Sequence, residues 1–537
     1  MLRNSKYLFN PDENFVPSKL HLGDFFIKTF KKYGDKAALV NGATDTTLTY
    51  NDILQASMNI SVCLSQLGLK KGETVGICSE NRLETWSVVV GAVCAGGVMT
   101  PLSIRYVKDE LRHVMNISKP KFLFCSKQAY DNHEAIFKSL VYIEKIILFG
   151  DERVEGTLLY EDLATITPNS MLKENVNYEE FEVVDVQGQI DTAFLMYSSG
   201  TTGLPKGVMQ THLSALVVFN LSCLLDPTHI VLNITPWYHA MGLMSTFIYL
   251  SHGCKHVFLP KYETDLYLKT IEKYKVNLLV LVPPVLMALI KTSLQYNLSS
   301  VVAIVSAGAS LRKEINAAIH EKFKNLKGIC QGYGMTESTF HVTVDTLFTD
   351  GTCKLGSVGK VVPNTLIKIA DVVTGEPLGP HQNGEVCVKS PLILKDYIGL
   401  DKNCCLDKDG FYRTGDVGYY DEEKYLFIAD RLKELIKYKA YQVPPAEIEA
   451  VLLQHEGVRD VGVVGLPHPE AGELPVAFVV PQPGANPTAV ELQQFVAERL
   501  SNPKHLRGGV HFVKEISKTA SGKILRKHLR ELAINLQ

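Results

Sequence analysis

The 537-residue chain lacks several features that would have assigned it at once. It has no CxxC pair among its 11 cysteines and no Cys/His spacing suited to zinc. The one close pair is Cys404-Cys405, and most other cysteines sit in apolar runs, as buried reduced thiols do. No stretch of about 18 apolar residues occurs, because Val276 to Ile290 is broken by Asn277 and Pro283-Pro284. The opening residues carry no apolar signal-peptide core, and the last three are Asn535-Leu536-Gln537 rather than Ser-Lys-Leu. A cytoplasmic protein without an integral membrane segment is expected. Charge of one sign is also missing: 55 basic and 57 acidic residues leave a net −2. That balance argues against a nucleic-acid partner, which calls for a basic stripe. Tryptophan is scarce, at two, but 46% of the residues are apolar, enough for substantial cores.

What is there reads as layers. Strand-like runs such as Ala37–Val40 and Thr74–Cys78 alternate with helical stretches such as Tyr50–Leu67 and Trp86–Ala95. This alternation predicts parallel sheets covered by helices through roughly the first 340 residues. Beyond Gly351, short strands separated by Gly, Pro and Asn turns predict a β-rich subdomain. From Asp430 the texture changes again. A helix opens at Pro444-Pro445, Val458–Val464 reads as a strand, and Thr488 to Glu491 is a capping box. Residues 431–537 carry 14 basic and 11 acidic groups, as a small, slightly basic α+β domain does. No repeat or low-complexity tract interrupts the pattern.

Four segments carry the chemistry. The first, YSSGTTGLPKGV (Tyr197 to Val208), sets hydroxyls at Ser198, Ser199, Thr201 and Thr202 among Gly200, Gly203 and Gly207, with Lys206 in the run. Glycines let backbone N–H groups turn toward an anion, hydroxyls donate to it, and lysine adds charge. Its glycine spacing is not that of a Walker P-loop. A strand leads in, and a helix is expected after it. The second, QGYGMTES (Gln331 to Ser338), offers an aromatic face for a base, then Thr336 and Glu337 for a magnesium-bound phosphate. In the third, Tyr412 to Arg431, Asp416 follows a glycine in a turn, where a carboxylate takes ribose hydroxyls. In the fourth, KTASGKILRK, Lys523 precedes an amphipathic helix.

Together and in this order, the four segments resemble the adenylate-forming superfamily: acyl-CoA synthetases, peptide-synthetase adenylation domains and beetle luciferases. KELIKYKAYQVPPAEIEAVLL (Lys433 to Leu453) and EAGELPVAFVV (Glu470 to Val480) are most similar to insect luciferases and their acyl-CoA synthetase relatives. The resemblance implies an α/β fold: a large N-terminal domain (1–430) of two βαβ-type subdomains and a distorted β-barrel, and a small mobile α+β lid (431–537). It implies that Ser198 to Lys206 hold the β,γ-phosphates of ATP, that Gly308-Ala309 and Gly332-Tyr333-Gly334 line the adenine, and that Thr336 and Glu337 serve phosphate and Mg²⁺. Asp416 and Arg431 would hold the ribose, and Lys523 would reach the α-phosphate and the acid. Asp430 would be the hinge about which the lid exchanges Lys523 for the loop from Lys437 to Gln442.

The implied activity is ATP- and Mg²⁺-dependent activation of a small-molecule carboxylic acid, then thioester formation with CoA, in a monomer. The alternative second step is that of a luciferase, in which O₂ adds to the adenylated acid and light is emitted. His239 in PWYHAMGL matches a histidine near the acyl group in both branches. Val218 stands where beetle luciferases have an arginine, and Phe340-His341 where they have a Ser-Ala pair. These changes in the acid pocket imply an apolar acid rather than beetle luciferin. Ala440 replaces the glycine of the family's KYKGYQV loop.

Overall fold

The computed structural model describes residues 6–11, 21–198, 205–219, 225, 227–306, 313–345, 353–399, 401–439, 441–518 and 524–535. Three sheets build the large N-terminal domain and a fourth builds the smaller C-terminal one.

The first sheet has eight strands. Thr192–Ser198, Val98–Leu102, Thr74–Cys78, Phe122–Ser126, Lys145–Phe149 and Leu158–Leu159 run parallel, in that order. Their side chains are mostly buried, as in a sheet covered on both faces. The expected helices lie between them. One spans Tyr50–Gln66, and Thr49 and Asp52 close its capping box. Thr85–Cys94 is buried along its whole length, which its uniformly apolar sequence requires.

The helix expected after the glycine-rich segment is present, but a strand comes before it. Lys206–Thr211 is a strand, paired antiparallel with Thr192–Ser198, and the helix His212–Phe219 begins only after it. Cross-strand pairing, rather than local propensity, sets the state of Lys206–Thr211.

The second sheet has nine strands. Its parallel centre is Ala37–Asn41, Lys255–Phe258, Ile230–Asn233, Leu278–Leu281, Ala303–Ser306 and Gly328–Gly334. His341–Val344 turns back antiparallel on the last of these. The β-rich part is a five-stranded antiparallel sheet curled into a half-barrel: Tyr7–Phe9, Leu366–Ala370, Gly384–Lys389, Tyr412–Tyr420 and Leu426–Arg431. The C-terminal domain has its own apolar clusters, one around Ile436, Ile448 and Val463, the other around Phe478 and Leu529. Its long hairpin, Val458–His468 with Gly472–Pro481, carries the helices Pro445–Leu452, Ala489–Ala497 and Arg526–Ile534. Among the described residues no helix is long and apolar enough to cross a membrane. All ten described cysteines are free; seven are buried, while Cys353 and Cys404 are exposed.

Candidate active site

The motifs converge where strand ends of the three N-terminal sheets meet. Asp416 and Arg431 are cross-strand partners in the half-barrel. The Arg431 Nε lies 3.2 Å from Asp416 Oδ1. Tyr333, from the nine-stranded sheet, donates its hydroxyl to Asp416 Oδ2 at 2.7 Å. Burial and then the Asp416 charge push the Tyr333 phenol well above its ordinary range, so it stays a donor. Gly415, at φ +72°, sets the turn into Asp416, a conformation that favours glycine. Asp416 lies within the strand Tyr412–Tyr420, and a carboxylate held this way suits a vicinal diol as an acceptor.

Around Glu337 a second network forms. The turn Thr336–Ser338 is held from below: buried Gln210 donates Nε2 to the Thr336 carbonyl at 2.9 Å, and the Leu394 N–H donates to the Glu337 carbonyl at 2.7 Å. Tyr397 donates its hydroxyl to Glu337 Oε1 at 3.1 Å and lies 2.8 Å from the Tyr412 hydroxyl. Lys206 is exposed, with its ammonium 5.4 Å from the centre of the Tyr397 ring. Across the hairpin from Lys206 stands Ser198, whose Oγ is buried and unpartnered among the described residues. Glu337 Oε2 likewise keeps no hydrogen bond among the described residues, which leaves it for a cation.

His239 stands at the mouth of the helix Ala240–Ser251. The residue is exposed, yet the surrounding protein desolvates the imidazole. That desolvation, with Arg105 adding to it, lowers its pKa to about 4. The loop before it is gripped from the other sheet. Asn81 donates Nδ2 to the Thr235 carbonyl at 3.1 Å, and Asn81 Oδ1 accepts the Trp237 N–H at 3.0 Å. Asn233 accepts the Thr235 N–H at 2.9 Å and donates to Ser245 Oγ at 3.0 Å, tying loop to helix.

Gly334 pairs with His341, and a Cβ at Gly334 would overlap the Phe340 carbonyl, so only glycine allows this approach. The Phe340 and His341 rings lie 4.4 Å apart. Burial lowers the His341 pKa to about 4, so this wall carries no charge at neutral pH.

The remaining expected positions are dispersed. Val218 is fully enclosed in the core of the N-terminal domain. Lys437 lies exposed on a hairpin of the C-terminal domain, its N–H bound to Glu473 Oε2 at 2.7 Å. Ser199, Gly200, Thr201, Thr202, Gly203, Gly308, Ala309, Ala440 and Lys523 lie outside the described residues. Sequence reasoning missed Tyr397, Gln210 and Asn81. Tyr412 only opened the third segment; the other three had no motif around them.

At the junction, Asp430 joins the two domains. Its Oδ1 accepts the Arg431 N–H at 2.8 Å and its Oδ2 accepts the Ala446 N–H at 2.9 Å, in the first turn of Pro445–Leu452. Behind that helix, Arg526 grips both oxygens of buried Glu449 at 2.9 Å.

The chain is similar to known proteins along nearly its whole length. Residues 26–398 match the AMP-binding enzyme family and 447–523 match the AMP-binding enzyme C-terminal domain. A luciferin 4-monooxygenase of Nipponoluciola cruciata is 38% identical, over 94% of this chain and 93% of its own. A probable 4-coumarate–CoA ligase of Dictyostelium discoideum is 34% identical over 99% and 98%. Among solved structures, ATP-bound MatB from Rhodopseudomonas palustris superposes with a TM-score of 0.84 at 26% identity, over 96% of this chain and 99% of its own. The chain therefore belongs to the AMP-binding, adenylate-forming enzymes, the family that holds both CoA ligases and luciferases.

Proposed function

We propose that the protein is an acid–CoA ligase that activates an apolar carboxylic acid with ATP. The observation that supports this most is the meeting of Tyr333, Asp416 and Arg431 beside the network of Lys206, Glu337, Tyr397 and Tyr412. A diol acceptor, a lysine and a carboxylate with one uncommitted oxygen are the groups that a nucleoside triphosphate needs.

In the first step the acid's carboxylate oxygen bonds to the α-phosphorus, the bond to the β-phosphate bridge breaks, and pyrophosphate leaves. Asp416 and Arg431 hold the ribose, and Tyr333 fixes the Asp416 carboxylate. Lys206, with Ser198 to Gly203, holds the β,γ-phosphates, and Gly308-Ala309 with Gly332 to Gly334 lines the adenine. Glu337, with Thr336, would hold Mg²⁺, which supplies charge neutralisation to the phosphates when bound. Lys523 reaches the α-phosphate and stabilises the charge that develops there. In the second step the CoA thiolate adds to the acyl carbonyl and AMP leaves, forming the thioester. Asp430 is the hinge for that step, residues 431–537 are the lid, and Lys437 is the lysine brought in.

The acid site is proposed at the wall of Phe340 and His341, near His239. Neutral His341 and the Phe340 ring favour an apolar acid. The 38% identity to a luciferin 4-monooxygenase supports the second reading, in which O₂ replaces CoA. The test incubates the protein with ATP, Mg²⁺ and a panel of fatty and aromatic acids, with and without CoA. Acid-dependent pyrophosphate exchange and a CoA thioester by mass spectrometry are expected. Exchange without thioester, with photon emission, would move the assignment to the second reading.

A further inference from the structure

Cys404 and Cys405 end a short turn, Lys402–Cys405, at the rim of the Glu337 network. Their sulfurs lie 3.6 Å apart. Cys404 is exposed and Cys405 half-buried. Cys405 packs on the cluster of Val208, Leu394, Tyr397 and Tyr412, whose two tyrosines reach Glu337. The thiol of Cys405 also feels the opposed charges of Lys206 and Glu337.

We propose that Cys404 and Cys405 form a dithiol site for a thiophilic centre that takes two sulfurs, such as a trivalent arsenical, and that its occupation blocks the adenylation site. Two bonds from sulfur to arsenic of about 2.3 Å, the length of a zinc–thiolate bond, would span the 3.6 Å gap at about 103°, an angle open to a three-coordinate pyramidal centre. With an organoarsenic oxide the step balances without an oxidant. Two As–S bonds form, the As–O bonding is lost, and both thiol protons leave with the oxygen as water. Arsenic stays trivalent. Other described thiols do not compete. Cys78 and Cys125 are neighbours across two strands but are fully buried, and Cys353 is exposed alone.

The blocking part rests on the ligase reading above; the binding part does not. The probe is phenylarsine oxide on the full chain, read by intact mass and by acid-dependent pyrophosphate exchange. One adduct per chain is expected, stable to excess 2-mercaptoethanol and released by 2,3-dimercaptopropanol. Exchange should fall at least tenfold, and MgATP should slow the modification. Cys404→Ser should keep its basal exchange, lose the stable adduct and resist the inhibitor. No stable adduct on the wild type, or a stable adduct surviving in Cys404→Ser, would overturn the site. A stable adduct with undiminished exchange would overturn its link to adenylation. If no acid supports exchange, the ligase reading fails while the adduct still decides the dithiol.

Discussion

Asn81 holds Trp237 by the backbone: its Oδ1 accepts the Trp237 N–H at 3.0 Å, across the boundary between two sheets. With its Nδ2 on the Thr235 carbonyl, the amide clamps both sides of Pro236, three residues before His239. Asn81→Ala leaves a buried N–H and a carbonyl unpaired, at a cost of about 1–3 kcal/mol each. The expected result is a lower midpoint in urea and a fall in kcat with the KM for ATP unchanged. Asn81→Asp accepts from Trp237 but cannot donate to Thr235, so it should fall between the two. If the KM for ATP rises with no change in kcat, His239 is not what the clamp positions.

Tyr397→Phe keeps the ring beneath Lys206 and removes the hydroxyl on Glu337. A hydrogen bond to a charged group contributes about 1.5–3 kcal/mol, or roughly 10–100-fold. The Mg²⁺ concentration for half-maximal pyrophosphate exchange should rise, while the KM for the acid stays the same. An unchanged Mg²⁺ requirement would remove Tyr397 from the site.

Lys523→Ala should lose exchange by about 10²–10³, the effect of removing a donor from developing charge. A preformed acyl-adenylate should still be converted. Lys437→Ala should spare exchange and slow thioester formation. Failure of both variants at one step would show that the two lysines do not alternate.

His256 is fully buried, against Trp237 and Tyr249, and neither ring nitrogen has a hydrogen bond among the described residues. Burial lowers its pKa to about 3, whereas the unfolded chain would titrate near 6.5. The unfolded state thus binds the extra proton. The stability this group contributes is complete above pH 6.5 and lost as pH falls toward 3, at about 1.4 kcal/mol per pH unit. His256→Phe should flatten the pH dependence of urea unfolding between pH 6 and 4 by one proton and cost little at pH 7.5. A profile parallel to the wild type would refute a neutral buried imidazole.

Phe340→Ser should shift the preferred acid toward bulkier members of a series, because it opens the wall beside His341. A drop in thermal stability with the order of acids unchanged would mean that the ring only packs against the core.

The parts of this site legible in the sequence were those with chemistry concentrated in short runs. Tyr333 comes from the second segment and Asp416 and Arg431 from the two ends of the third, and the structure brings them together. Tyr397 and Asn81 escaped because their partners are 60 and 156 residues away and no local pattern announces such a bond. The strand Lys206–Thr211 was not foreseen for a related reason: its state is set by pairing with Thr192–Ser198. Tyr7–Phe9, too short to register as an element, joins the half-barrel opposite Leu366–Lys368.

The pairing of Ala37–Asn41 with Lys255–Phe258 bears on how the chain is made. The early strand leaves the ribosome roughly 220 residues before its partner, which at ~5–20 residues per second is a wait of about 10–40 s. The eight-stranded sheet gathers its parallel strands from residues 74–198 and is complete in that interval but for its antiparallel edge. The nine-stranded sheet must wait with Leu39 and Val40 uncovered. Slowed translation between residues 42 and 258 would lengthen that exposure and leave the finished enzyme's stability unchanged.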